Sequence, residues 1–132
     1  MCHVKVLRLA NPFVRAILGS RAHRLLSGTL VVVEYRGHRS GRVFRIPLRY
    51  ARMAEGSIVA LAVQPERKLW WRSFLISAPA TLNLRGRRVE ASGRLVEDVA
   101  RTSALEAYVA RFPRSARHAR EAAFVVFTPA PR

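Results

Sequence analysis

The stretch LVVVEYRGHRSGRVFRIPLRYAR, residues 30–52, decides the fold. Leu30–Tyr35 is a β-rich run, and Gly37-His38-Arg39-Ser40-Gly41 supplies turn residues directly after it. The following run, Val43 to Arg52, alternates strictly: Phe44, Ile46, Leu48 and Tyr50 fall on one face of a strand, Arg45 and Arg49 on the other. Two such runs around a glycine-bounded turn are an antiparallel hairpin with one face turned to a core and the other to solvent or ligand.

The same pattern continues outward. Ala54-Glu55-Gly56-Ser57 makes a second turn, and Ile58–Val63, apolar on both faces, predicts a central third strand. Gln64–Lys68 is a polar loop, after which Leu69–Ile76 carries aromatics at spacing three and four, the pattern of a short helix stopped by Pro79. Thr81–Leu84 and Val89–Val96 flank Arg85-Gly86-Arg87-Arg88, a second hairpin whose Gly86 is free to take positive φ. Asp98 is placed to cap a helix with the apolar stripe Leu105, Tyr108, Val109 and Phe112, which Pro113 ends, and Ala123–Thr128 is a last strand. Upstream, Asn11-Pro12 starts an amphipathic helix over about residues 9–27, with Arg15, Arg21 and Arg24 along it. Helix, three strands, helix, two strands, helix, strand is the order of a small, mainly β single domain over residues 1–132, a closed or half-open barrel with helices over its openings.

Composition bounds the function. The 132 residues hold 24 Lys+Arg against 8 Asp+Glu, a net charge of +16, and apart from Lys5 and Lys68 every cation is arginine. Such a field draws in anions. The single cysteine, Cys2, cannot build an internal disulfide or a thiolate cluster, and His3, His23, His38 and His118 lie scattered, so no metal site is expected. With Asp98 the one aspartate and the seven glutamates mostly on turns and helix flanks, a two-carboxylate glycosidase is not expected and no Ser-His-Asp spacing is legible. No apolar run reaches membrane-spanning length, which points to a cytoplasmic protein, with peripheral membrane contact through the basic N-terminal helix as a secondary expectation.

Two regions carry candidate chemistry. Arg36 to Arg52 holds six arginines and His38 without one acid, and Gly37 and Gly41 let amides, the Ser40 hydroxyl and guanidinium forks converge on a phosphate; the plainer reading is a solvated hairpin tip. Trp70, Trp71 and Phe74 beside Arg67 and Lys68 suit a planar anionic heterocycle, or else are simply core. An enzyme built this way leaves the hard chemistry to a bound cofactor. A basic nucleic-acid-binding module has only charge in its favour, since no known motif or stacking platform accompanies it. A non-catalytic binder of a fatty acid or other anionic ligand is the further alternative.

Asn11-Pro12-Phe13 and the helix after it, the Gly37-His38-Arg39-Ser40-Gly41 turn with Arg45-Ile46-Pro47 behind it, the Trp71 helix and the closing strand into Pro129 resemble the deazaflavin-dependent nitroreductase family over nearly the whole chain. That resemblance implies a split β-barrel of the FMN-binding-like kind. It implies coenzyme F420, with FMN as the alternative, and hydride transfer to a quinone, a nitroaromatic or another activated small-molecule acceptor. On this resemblance Gly37, His38, Arg39, Ser40 and Gly41 hold the coenzyme's phosphate with Arg45 and Pro47 nearby. Val63 and Gln64 lie against the ring, Arg67, Lys68 and Trp71 assist with ring or tail, and Tyr108 and Phe112 line the acceptor pocket. A monomer or a homodimer is expected.

Overall fold

The computed structural model describes residues 29–131. Its strands are β1 (Leu30–Arg36), β2 (Val43–Arg52), β3 (Ile58–Ala62), β4 (Ala78–Leu84), β5 (Arg87–Val96) and β6 (Ala123–Pro129). They pair antiparallel in the order β1-β2-β3-β6-β5-β4, and β4 pairs back onto β1, so the sheet closes on itself. A 3-10 helix (Leu69–Phe74) joins β3 to β4, while α1 (Asp98–Arg111), a 3-10 turn (Pro113–Ser115) and α2 (Ala116–Ala119) join β5 to β6. The helix expected at about residues 9–27 lies outside the described residues. Among the described residues no helix is long and apolar enough to cross a membrane.

Alternation along the strands sorts the apolar residues into two cores. Val31, Val33 and Tyr35 of β1, Ile58 and Ala60 of β3, Leu82 of β4 and Val125 and Phe127 of β6 fill the barrel, with Phe44, Ile46 and Leu48 packed against them. Val59, the next residue on β3, faces the other way into a second cluster with Phe124 and with Ala104 and Tyr108 of α1. The expectation that β3 is apolar on both faces is met for this reason: the barrel interior lies on one side and a helix on the other.

Phe74, at the end of the 3-10 helix, is driven into the barrel and is fully buried. Its ring meets Phe127 edge-on at 5.3 Å and Tyr35 at 5.6 Å. Room for it comes from Gly93 on β5, where an added Cβ would lie 2.7 Å from both the Phe74 and the Phe127 rings.

Three details differ from the sequence expectation. Pro79 does not stop the aromatic helix, which ends at Phe74; Pro79 sits inside β4, opposite Ser92. The pairing of β4 with β1 starts only at Ala80, so Pro79 occupies a reach with a strand on one side and its missing N–H removes no ladder bond there. Pro47 is placed the same way, opposite Val32 in the reach of β2 that pairs with β1 before the β3 pairing begins at Tyr50. The second hairpin turn is tighter than Arg85–Arg88: Leu84 pairs with Arg87, and Arg85 and Gly86 take φ of 52° and 79°, the positive pair a two-residue turn requires. Finally, Asp98 does not cap α1 with its side chain but begins the helix at φ 54°, a left-handed conformation that aspartate tolerates better than most residues.

The Gly93 contact yields a direct test. Gly93→Ala forces an overpacked interior and lowers the free energy of unfolding by about 1–3 kcal/mol in urea denaturation, and combining it with Phe74→Leu recovers part of the loss; a Gly93→Ala protein as stable as the parent contradicts the packing described.

Candidate functional site

The β1–β2 turn is held from within. The Gly37 amide donates to the Arg42 carbonyl at 2.7 Å, the Gly41 amide to the Gly37 carbonyl at 3.0 Å, and the Arg36 guanidinium to the Gly41 carbonyl at 3.0 Å. Gly41 takes φ 71°, which closes the loop, and the Arg42 amide donates to the Ser40 hydroxyl at 3.2 Å. A long-range tie fixes the turn to the rest of the molecule: the His38 amide donates to Ser73 Oγ at 3.2 Å, and His38 Nδ1 lies 3.2 Å from the same oxygen. The backbone amides of Arg39 and Ser40 remain without a hydrogen-bond partner among the described residues. Two adjacent donors at a basic turn form the kind of concavity that takes an anion.

Against this turn stands an aromatic wall. Tyr35, Phe44, Leu69, Trp70 and Ser73 share with Gly37, His38, Arg39 and Ser40 a cavity of about 230 Å³, whose lining includes no carboxylate among the described residues. Tyr35 and Phe44 stack at 5.7 Å, and Trp70 meets Phe74 edge-on at 6.2 Å, so the wall is continuous with the interior core. Burial pushes the Tyr35 phenol up to about 12. It therefore keeps its proton, and stays a hydrogen-bond donor, throughout the neutral range.

Of the residues the sequence singled out, the structure brings together Gly37, His38, Arg39 and Ser40, with Gly41 closing their turn. The others are placed apart from them. Arg45 points to the opposite face of β2 from Phe44 and pairs with Glu34 at 2.8 Å, the residue directly across on β1; Arg88 joins the same carboxylate at 3.7 Å. Pro47 lies further along β2, and Val63 and Gln64 begin the loop after β3, with Gln64 exposed at φ 55° and its carbonyl accepting from the amides of Arg67 and Lys68. Arg67 and Lys68 are solvent-exposed in that loop. Trp71 diverges from Trp70: its indole N–H donates to the Pro65 carbonyl at 2.8 Å, and it lines a second cavity with Arg72 and Arg101. Phe112 lines a third cavity with Arg49, and Tyr108 is buried beneath it, the two rings 5.0 Å apart. Arg49 and Phe44 are five residues apart on β2, roughly 17 Å along the strand, so the Phe112 cavity opens at the other end of β2 from the turn.

Ser73 escaped the sequence reading. It stands 35 positions from His38, and only the docking of the 3-10 helix by Phe74 brings them together. Tyr35 and Phe44 were legible as strand residues of the core face, and their alternation with Arg36 and Arg45 was the available signal. Among the described residues there is no group of three or more His, Cys, Asp or Glu that could hold a metal ion.

Known structures place the architecture. A solved structure described as a domain-swapped dimer is similar over 90% of this chain and 98% of its own, with a TM-score of 0.59 at 14% identity. The fold is a split β-barrel. HutZ, the heme storage protein from Vibrio cholerae, is similar over 83% of this chain and 89% of its own, with a TM-score of 0.49 at 10% identity. No family model matches the chain, and no curated protein matches it.

Because Tyr35 is buried neutral, its folded-state pKa stands above the unfolded value, and the stability it contributes is complete below pH 10.0 and lost as pH rises through about 12. In denaturation at increasing alkaline pH, the parent protein therefore loses stability relative to Tyr35→Phe across that window; parallel curves for the two proteins contradict a buried phenol.

Proposed function

We propose that the cavity between the Gly37–Gly41 turn and Trp70 binds the phosphate-bearing part of a deazaflavin coenzyme, and that the protein is a reductase using coenzyme F420 to reduce a quinone, a nitroaromatic or a similar activated acceptor. The observation that carries this reading is the convergence in one lining, without a carboxylate among the described residues, of two amides that have no partner among those residues and the Arg39 side chain with the aromatic residues Tyr35, Phe44 and Trp70. An anion beside a planar ring is what that pairing recognises. At about 230 Å³ the cavity is smaller than the roughly 300–1,000 Å³ of sites that enclose a whole ligand, which suits a site holding one portion of a coenzyme and leaving its tail in the basic field outside. The resemblance carried by the turn and by Arg45-Ile46-Pro47 supports the same class of ligand.

The residues present fit that group. The Arg39 and Ser40 amides, with the Arg39 guanidinium, would hold a phosphate, and His38, tied to Ser73, would keep the turn at a fixed distance from the aromatic wall. When bound in its reduced form, the coenzyme supplies a hydride. The chain's own part is positional and electrostatic: Tyr35 and Trp70 would supply aromatic surface beside a ring, and the Tyr35 hydroxyl holds its proton through the neutral range. Arg45 is paired with Glu34 on the barrel's outer face and does not line this cavity.

A fluorescence titration with oxidised coenzyme F420, run beside FMN at the same moderate salt, tests the proposal. We expect saturable binding selective for the deazaflavin, weakened about tenfold or more by Arg39→Ala, since one charge-assisted contact is worth on the order of 1.5–3 kcal/mol. Ser73→Ala weakens it by releasing His38. Selective binding of FMN moves the site to the flavin alternative, and binding of neither coenzyme overturns the proposal.

A further inference from the structure

Among the described residues the large apolar side chains left exposed are Leu69, Leu75, Ile76 and Val99. Three of them gather at one place. Phe74 ends the 3-10 helix inside the barrel, and the next two residues, Leu75 and Ile76, lie in solvent before β4 begins, Ile76 at 83% exposure. Leu75 shares a cavity of about 420 Å³ with Arg94 on β5 and with Glu97, Asp98 and Ala100, where α1 begins. Val99, 81% exposed, stands between Asp98 and Ala100 in the chain. Single exposed apolar residues are ordinary, but a cluster of them marks a contact surface.

Charge says which partner the surface fits. Two cations, Arg72 and Arg94, and two carboxylates, Glu97 and Asp98, surround the cluster, and none of the four makes an ion pair among the described residues. Two copies of a chain with net charge +16 repel at long range, so they can touch only where cations are offset locally, as they are here. We infer that the face formed by Leu75, Ile76 and Val99 is a two-fold interface with a second copy of this chain. A two-fold contact requires a surface complementary to itself. Arg72, Leu75 and Ile76 come from the 3-10 helix and its exit, while Glu97, Asp98 and Val99 come from the start of α1. A two-fold axis between these segments lays each on the other segment of the partner, so that apolar side chains meet and guanidinium faces carboxylate twice over. An anionic bilayer or a nucleic acid would instead bring phosphates onto Glu97 and Asp98.

Sedimentation velocity on the full chain, from low to high micromolar concentration, tests the interface. A reversible monomer–dimer equilibrium is expected, with the dissociation constant raised about tenfold or more by Ile76→Ser with Val99→Ser. Two charge variants then test the pairing. Glu97→Lys with Asp98→Asn leaves the face positive, the asparagine suiting the φ of 54° at that position, and Arg72→Gln with Arg94→Glu leaves it negative. Each variant alone sediments as a monomer and an equimolar mixture of the two restores the dimer, a rescue that misfolding of either cannot produce. A parent protein that stays monomeric overturns the proposal, as does a dimer unmoved by the Ile76 and Val99 substitutions or a mixture that remains monomeric. Binding of the monomer to phosphatidylglycerol vesicles, lost with Ile76→Ser and Val99→Ser, gives the face to a lipid surface and overturns it equally.

Discussion

The insertion of Phe74 into the barrel is the contact on which the rest of the structure depends. A 3-10 helix of six residues has little stability of its own and is held by what it buries. Phe74 supplies that anchor by meeting Phe127 and Tyr35 in space that Gly93 leaves open on β5. Once the ring is seated, the remaining positions of the helix are set: Trp70 and Ser73 fall opposite the β1–β2 turn, while Trp71 is turned away toward Pro65. The candidate coenzyme cavity is thus a by-product of core packing. The turn contributes the polar half, but its distance from the aromatic half is decided inside the barrel.

Charge is distributed along β2 in a way that the total of +16 conceals. At one end stand the amides and cations of the Gly37–Gly41 turn, and at the other the Arg49 cluster around Phe112. Between them, on the outer face, Glu34 gathers Arg45 and Arg88 at a single carboxylate, and Glu90 beside it accepts from the Thr81 hydroxyl. That charge-balanced middle separates two basic ends. It also gives Arg45 a carboxylate partner on the outer face, although its place in the sequence, close behind the turn, suggests a ligand-binding role.

The barrel was legible in the sequence because its strands alternate and its turns carry glycine. Phe44, Ile46 and Leu48 against Arg45 and Arg49 gave β2 its two faces, and the apolar continuity of Ile58–Val63 gave β3, which ends at Ala62, its central place. What could not be read was whatever depends on contacts across the fold. His38 and Ser73 share no local pattern, the cation cluster at Phe112 is assembled from a strand and a helix end more than 60 positions apart, and Glu34 meets Arg45 only through the hairpin register. Proline misled for a different reason. Pro79 was read as a helix terminator, yet a proline is equally at home in a strand wherever one of its flanks lacks a neighbour.

That placement of proline has a consequence for the protein in a crowded solution. β2 over Val43–Arg49 has β1 on one flank alone, and β4 at Ala78 and Pro79 has only β5, so a barrel closed in its overall topology still carries short lengths of unpaired backbone among the described residues. Open strand flanks invite pairing with another chain. Pro47 and Pro79 withhold an amide donor there, so a second molecule approaching in register meets a missing hydrogen bond. The features that interrupt the ladder thereby also blunt the open flanks as templates for pairing with another chain.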